Sequence, residues 1–486
     1  MNMTWYNSLV FYIFIIISSW IVRVDLIGVH PIDQSYGCYP SVLYVWSGQE
    51  TSVPNASDFV AVIDFDQSSP NYGHIIKRIP LVSNVTDRIK QSGNEPHHSG
   101  ISTDGEFYIT GGLLSFLSNS KEIFVWRIPE NPRQGPQFLY ALDVPGACTD
   151  EFLATGNSTF LVTMMCNENA VSPGDIVFID AKTGSSKSIL PNASSLINFN
   201  PHGFGRLNNG SLFVADYIIP LTLTGNDRSE IIFQNTTRHF FPDGTLQRTF
   251  QFEYPTAPGS TTGIGTGIGF MELKSIPNDP YGRSYACATN LNAMYLIGPG
   301  MSKPILALDA SIVNGYQKRA SSGITSIFPD GQRLLMTFQM RFVLLLNIID
   351  PARPLIIRVF DFCSNKELDH VYIQVPDSNE TLTFREYCVR NNNITGAHIL
   401  VHPQGERRFI VFNYFLQFGL AQFAGVRTVH AFKLNKQLTD FHYDHQFNPN
   451  FIFDDKSKEQ RETFHSLKAF PHHAQYIRLQ GRNNNC

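Results

Sequence analysis

Short stretches with the residue pattern of β-strands recur along almost the whole chain, and helical periodicity is nearly absent. Segments 59–65, 122–128 and 175–180 are rich in Val, Ile and Phe and alternate in part between apolar and polar residues, which is typical of strands. No linker rich in Pro, Ser or Gly separates such segments into groups. The pattern therefore predicts an all-β fold built as one unit.

A turn of Asp or Asn followed by Gly recurs along the chain, each time just before an apolar strand. Copies begin at Asp104, Asn209, Asp243 and Asp330, and Gln404 begins a weaker one. Such turns require positive φ, which Gly, Asn and Asp adopt at little cost, so they mark tight hairpins. Hairpins repeating along an undivided chain of 486 residues indicate a β-propeller of about seven four-stranded blades. We therefore predict a seven-bladed β-propeller over residues 29–480, followed by a flexible tail at 481–486.

Residues 1–28 are predicted to be a signal peptide, with an uncleaved anchor as the alternative. The apolar run from Leu9 to Val22 ends at Arg23, and its length suits a signal-peptide core better than a bilayer span of ~20 residues. No Lys or Arg precedes the run, and no clean cleavage site follows it. With the leader cleaved, no stable membrane span is expected.

Glycosylation sequons outside the leader favour the same compartment. They begin at Asn55, Asn84, Asn157, Asn192, Asn209, Asn235, Asn379 and Asn393. Sequons spread over surface loops indicate passage through the secretory pathway. We therefore expect a protein that is secreted or lies in the secretory-pathway lumen.

Seven cysteines are too few for a disulfide scaffold, so the hydrophobic core must hold the fold. In an oxidising compartment Cys363–Cys388 could close a polar loop, and Cys148–Cys166 could bridge a hairpin. Sequence alone does not fix this connectivity, and the odd count leaves at least one thiol free or intermolecular.

The pair His97-His98 follows a proline and precedes a small turn. Neutral imidazole is the commonest side-chain ligand for copper and zinc, and two adjacent histidines can supply two ligands; an exposed loop is the alternative. His202 is either a further ligand or a hydrogen-bonded turn residue. The segment 442–445 has metal-like spacing but is interpreted as an exposed loop, and His472-His473 ranks below His97-His98.

Several function classes are disfavoured. The net charge of −4, without a basic run, gives no sign of a nucleic-acid partner. No G-x-S-x-G, H-E-x-x-H or C-x-x-C motif is present, which argues against serine hydrolases, zincins and thioredoxin-like enzymes. The Gly-rich run 263–269 lacks a following helix, so an inter-blade loop is predicted there rather than a dinucleotide site.

Three parts of the chain carry a resemblance to a known family. They are residues 58–72 with the following His97-His98-Ser99-Gly100, the Asp-Pro-Ala-Arg-Pro turn at 350–354, and Asn-Pro-Asn-Phe at 448–451 with His465 beyond it. Together they resemble the selenium-binding protein family, which includes copper-dependent methanethiol oxidases. The resemblance implies a seven-bladed propeller with a histidine cluster at its central channel, where His97, His98 and His465 would hold copper.

The chain departs from the family pattern in three places. Segment 147–154 aligns with family histidines but contains none, so Cys148, Glu151 or His202 is the candidate fourth ligand. A disulfide at Cys148 would leave the metal one ligand short. Ser466 follows the C-terminal histidine where the family has an acid. The reactive N-terminal cysteine of the family has no counterpart, so selenium binding through that residue is not expected.

Two functions follow as hypotheses. The resemblance implies a secreted copper-dependent oxidase that converts methanethiol, O2 and water to formaldehyde, hydrogen sulfide and hydrogen peroxide. The alternative is a non-catalytic glycosylated propeller that serves as a binding scaffold after losing the metal chemistry. The missing ligands favour the scaffold, and the three retained histidines favour the metal. The sequence does not indicate the oligomeric state.

Overall fold

The computed structural model describes residues 40–50, 56–253, 264–309, 312–313, 323–375, 378, 380–414, 416, 419–421, 425–449, 451–453 and 467–479. The predicted leader at 1–28, the sequons at Asn55 and Asn379, the candidate ligand His465 and the tail at 481–486 lie outside the described residues.

Seven antiparallel sheets form a ring, which confirms the predicted all-β, seven-bladed β-propeller. Blade 1 combines three strands from the start of the described chain with one from its end. The strands are β1 (Ser41–Gln49), β2 (Phe59–Asp64), β3 (Ile75–Pro80) and the C-terminal β31 (Leu467–Arg478). Each of the other blades uses four consecutive strands.

The strands of blades 2 to 4 are β4 (Pro96–Ile101), β5 (Phe107–Gly112), β6 (Ile123–Arg127), β7 (Gln137–Leu142), β8 (Ala147–Ala154), β9 (Thr159–Cys166), β10 (Asp175–Asp180), β11 (Ser185–Ser188), β12 (Pro201–Arg206), β13 (Leu212–Asp216), β14 (Thr236–Phe240) and β15 (Leu246–Gln251). Those of blades 5 to 7 are β16 (Phe270–Ser275), β17 (Ser284–Ala288), β18 (Ala293–Ile297), β19 (Ile305–Asp309), β20 (Thr325–Ile327), β21 (Arg333–Phe338), β22 (Phe342–Asn347), β23 (Leu355–Asp361), β26 (Leu400–Val401), β27 (Arg408–Phe412), β28 (Val429–Leu434) and β29 (Phe441–Tyr443).

The remaining elements connect or extend the blades. A hairpin of β24 (Tyr372–Gln374) and β25 (Thr381–Thr383) leads into helix α1 (Phe384–Arg390) between blades 6 and 7, and β30 (Ile452–Phe453) pairs with the start of β31. Short 3₁₀ helices cover Ser115–Ser118, Pro132–Gln134, Ala193–Ser195, Pro220–Thr224, Arg228–Glu230, Lys366–Leu368 and Gly419–Ala421. None of the helices in the described ranges is long and apolar enough to cross a membrane.

The ring closes where β31 pairs antiparallel with β1 and becomes the innermost strand of blade 1. Closure lets every blade pack both faces against neighbours, which explains why all residues of β1 and β2 are buried. Between blades 1 and 2, for example, the rings of Trp46 and Trp126 meet edge to face with their centroids 6.0 Å apart. The core therefore lies between the blades, and the inner strands line the central axis.

The predicted Gly turns are present as tight connections between strands. The glycines at 105, 210, 244, 331 and 405 all have positive φ. At Gly244 a Cβ atom would lie 1.9 Å from the carbonyl oxygen of Ile189, so this turn accepts no side chain. The Gly-rich residues from 264 to 269 connect blades 4 and 5, as predicted for an inter-blade loop.

Both predicted disulfides are present. Cys148–Cys166 joins the first two strands of blade 3, with its Cα atoms 5.7 Å apart. Cys363–Cys388 ties the end of blade 6 to helix α1, with its Cα atoms 5.5 Å apart. Among the described cysteines, Cys287 is buried with a free thiol.

Candidate metal centre

The innermost strands of blades 1 to 5 each contain a β-bulge, where the register with the next strand shifts. The bulged residues are His472 in β31, His97-His98 in β4, Asp150-Glu151 in β8, His202-Gly203 in β12 and Met271 in β16. A bulge bends the strand and redirects a side chain, and bulges are frequent beside active sites. In blades 1 to 4 the bulges coincide with histidines and carboxylates of the central channel.

Side chains from several blades meet at this point. The ring centroids of His97 and His472 are 4.0 Å apart, those of His97 and His98 are 4.8 Å apart, and those of His398 and His472 are 5.5 Å apart. His202 Nε2 lies 3.2 Å from Asp150 Oδ2. Histidines from four blades and a carboxylate from a fifth blade therefore form one cluster. We call it the histidine cluster, and its members are His97, His98, Asp150, His202, His398 and His472.

Two overlapping sets within the cluster have the spacing of metal ligands. One ligand atom each from His97, His98 and His472 lie within 4.8 Å of one another, and the same holds for His97, Asp150 and His202. Two ligands bonded at ~2 Å to one ion lie at most ~4 Å apart. Small side-chain rotations would therefore bring either set to a common ion.

The cluster concentrates buried polar atoms that have no hydrogen-bond partner. Its members are at most 5% exposed, and Asp150 and His472 are fully buried. Within the described part of the chain, both oxygens of Asp150 and both ring nitrogens of His472 have no hydrogen bond. The same is true of one ring nitrogen in each of three other histidines: Nδ1 of His97, Nδ1 of His202 and Nε2 of His98. Buried polar groups are nearly always satisfied, and exceptions point to an ion or ordered water. The donor set, several imidazoles and one carboxylate, fits a transition-metal cation.

Burial keeps most of these imidazoles neutral. Desolvation and the neighbouring histidines hold the pKa values of His97, His398 and His472 well below 6.5. Desolvation also lowers the pKa of His202 to about 3. Since the neutral imidazole is the form that binds metals, these four histidines need no deprotonation at neutral pH.

His98 lies in a different electrostatic environment. Its Nδ1 is 3.6 Å from Glu151 Oε2, and its Nε2 is 3.8 Å from Asp150 Oδ1. Burial opposes protonation of His98, but Asp150 and Glu151 outweigh burial and raise its pKa. Lys274 Nζ in turn lies 2.8 Å from Glu151 and 2.7 Å from Glu272. This charge network fixes the orientation of His98.

The structure brings some of the predicted ligands together and corrects another. His97, His98 and His202 lie in the cluster, whereas Cys148 is bonded to Cys166 and has no thiolate for a metal. Cys148 as fourth ligand was therefore wrong, and its predicted disulfide is the alternative that occurs. Glu151 lies beside His98, but its carboxylate binds Lys274.

Three cluster members are absent from the predicted ligand set: His472, His398 and Asp150. His472 was predicted only as a lower-ranked candidate, and Pro471-His472-His473 repeats the Pro-His-His triplet at 96–98; this repeat is the signal that points to it. His398 and Asp150 carry no local motif, and only the assembled ring reveals them.

A cavity of 540 Å³ adjoins the cluster. His97, Asp150, His202 and His398 line it on one side, and Tyr217 stands beside His202 with ring centroids 4.9 Å apart. The loops that join the second and third strands of several blades supply most of its other walls. The cluster is therefore reached through this cavity.

Comparison with known proteins supports the fold and leaves the family open. No family model matches the chain, and no curated protein matches it. Among solved structures it is similar to a hypothetical selenium-binding protein from Sulfolobus tokodaii, with 14% identity and a TM-score of 0.64, over 92% of this chain and 96% of that one. A functionally unknown protein from Desulfotomaculum acetoxidans matches with 11% identity and a TM-score of 0.44, over 85% of this chain and 100% of that one. The first likeness shows that this chain has the propeller fold of that selenium-binding protein.

Proposed function

We propose that the chain is a metal-binding propeller whose histidine cluster holds copper. The observation that carries the proposal is that His97, Asp150, His202 and His472 each have a buried side-chain atom without a hydrogen-bond partner, and that these residues belong to two overlapping sets with the spacing of metal ligands. These four residues would be the ligands, with His98 and His398 beside them. Imidazole suits copper and zinc alike, and the resemblance to copper-dependent oxidases favours copper. When bound, copper supplies one-electron redox chemistry with an open position for substrate.

The reaction we propose is oxidation of a thiol by O2, as in methanethiol oxidase. The residues of this chain would contribute binding and orientation. Apolar cavity walls exclude bulk water, which strengthens electrostatic interactions at the cluster. Lys274 holds Glu151, and Glu151 orients His98. Tyr217 packs edge-on against His202 and limits the rotation of that ring.

The alternative remains a glycosylated binding scaffold without catalysis. It is supported by the loss of Cys148 to a disulfide and by Ser466 in the place of the family's acid. The two proposals differ in metal content, so one experiment separates them.

That experiment measures bound metal by mass spectrometry on purified, folded protein. We expect one copper per wild-type chain after loading, and a clear loss in His472→Ala. His442→Ala is the matched control, because His442 is exposed on β29. Circular dichroism checks that both variants fold. Wild-type protein that takes up no copper, or equal copper in both variants, would refute the metal site.

Activity is the second readout. Copper-loaded protein is expected to consume methanethiol and release hydrogen sulfide, and His472→Ala is expected to do neither. Copper uptake without thiol consumption would leave the metal site standing and reject the oxidase.

We also propose that the protein enters the secretory pathway. The leader and the sequons support this, and Asn157, Asn192 and Asn209 are exposed. In eukaryotic secretion, Asn209→Gln should remove the mass of one glycan. The neighbouring Asn208→Gln leaves the sequon intact and is the control. An unchanged glycan mass in Asn209→Gln would contradict occupancy of this site.

A further inference from the structure

The cavity beside the histidine cluster has two chemically different sides. The polar side is the cluster itself. The opposite walls are apolar, and the side chains of Leu113, Ile218, Ile231 and Phe233 that form them are at most 6% exposed. Met165 and Leu223 belong to the same hydrophobic group. The apolar surface is therefore sheltered from bulk water and faces the cavity.

The cavity is much larger than a very small substrate requires. Its 540 Å³ equal the volume of about 18 water molecules at ~30 Å³ each, whereas methanethiol has two non-hydrogen atoms. Pockets of ~300–1,000 Å³ that are mostly apolar with a few polar groups typically bind small organic ligands. The dimensions thus indicate a ligand with a substantial hydrocarbon body.

The lining of the cavity is mainly apolar, which restricts the chemistry of the ligand. An apolar body gains by burial against the walls, while a polar group placed there would lose its hydrogen bonds. His97, Asp150 and His202 line the cavity and have buried polar atoms without hydrogen-bond partners, so the cluster is the place where a donor atom of the ligand gains most. We therefore expect a ligand that is mostly apolar and that directs one polar group at the cluster.

We propose that this cavity binds an amphipathic molecule with a hydrocarbon body on the order of ten non-hydrogen atoms and one donor atom directed at the histidine cluster. The identity of that donor as a thiol rests on the proposed function. Binding of the hydrocarbon body does not, because the walls are the same with or without a metal. The natural substrate would then be an alkyl or aryl thiol larger than methanethiol.

The test begins with metal-free protein and straight-chain primary alcohols from butanol to octanol, titrated by calorimetry. Alcohols probe the walls without metal chemistry. Affinity should rise about fourfold for each added methylene until the cavity is filled.

A variant locates the binding. Ile218→Phe adds volume to the wall and should weaken octan-1-ol binding at least tenfold. Ile349→Phe makes the same change at a turn that is 58% exposed and away from the cavity, and should leave binding unchanged. Affinity that does not depend on chain length, or that is equal in the two variants, would overturn the inference.

Metal-loaded protein then separates this inference from the proposed function. Hexane-1-thiol should be consumed at lower concentrations than methanethiol. Alcohol binding in a protein that takes up no copper would uphold the apolar site and reject the proposed function. Copper uptake without any chain-length dependence would reject the apolar site alone.

Discussion

Removal of the Cys148–Cys166 disulfide should weaken both the fold and the proposed metal site. The bridge closes a loop with a sequence separation of 18, and loop-closure entropy predicts a loss of about 3 kcal/mol for Cys148→Ser with Cys166→Ser. Over the roughly 390 residues that the structure describes, this loss corresponds to a decrease in Tm of about 4 °C.

The same bridge supports the cluster. Cys148 has a φ of 60°, a left-handed conformation that non-glycine residues rarely adopt, and Asp150 follows two residues later in the bulge of β8. Without the bridge this backbone would relax, and Asp150 would be held less precisely. Supporting residues of this kind typically change metal affinity by ~10–100-fold, so we expect copper affinity to fall about tenfold.

The second disulfide provides a matched control. Cys363–Cys388 has a sequence separation of 25 and should contribute a similar ~3.5 kcal/mol, but it ties blade 6 to α1 and has no member in the cluster. Cys363→Ser with Cys388→Ser should therefore lower Tm comparably and leave copper affinity unchanged. The assays are calorimetric unfolding and copper titration against a competing chelator. Equal losses of copper affinity in both double variants would refute the positioning role of the first bridge.

Two further predictions concern stability. Burial lowers the pKa of His402 to about 4; the unfolded chain therefore binds more protons between pH 6.5 and 4, and stability should fall as the pH decreases through this window. Urea unfolding at pH 7 and 4.5 should show a smaller pH effect in His402→Gln, and an unchanged effect would contradict this assignment. Arg408 is buried, pairs with Glu406 and donates to the carbonyl of Phe65 in blade 1. Arg408→Met should cost about 3–5 kcal/mol, because it leaves a buried carboxylate without its guanidinium; a loss below about 1 kcal/mol in chemical denaturation would be inconsistent with this role.

Much of the fold was predictable because its signals are local. Alternation of apolar residues reports a strand within a few positions, and an Asp-Gly or Asn-Gly turn requires φ angles that few other residues adopt. The Gly turns at 105, 210, 244 and 331 lie where the sequence places them. Chain length then limited the number of blades. Both disulfides were also predicted from loops and hairpins that are short in sequence.

The site was only partly predictable. His97 and His98 carry a local motif and lie in the cluster, and His202 joins them. Asp150 and His398 have no local signal, because their place in the cluster depends on contacts with residues of other blades. Cys148 shows the same limit. The sequence allowed this residue to be either a metal ligand or half of a disulfide, and only its distance to Cys166 in the fold decides between the two roles.

The sequence by itself thus determined the strands, the turns, the propeller architecture and one histidine pair. The tertiary structure decided which distant residues share the channel, because the inner strands of different blades meet only when β31 pairs with β1. It also decided where each inner strand bulges, since a bulge is a mismatch between two paired strands and is not a property of either segment alone. Those bulges, combined with ring closure, create two overlapping sets of possible ligands, His97 with His98 and His472, and His97 with Asp150 and His202, each with its ligand atoms within 4.8 Å of one another.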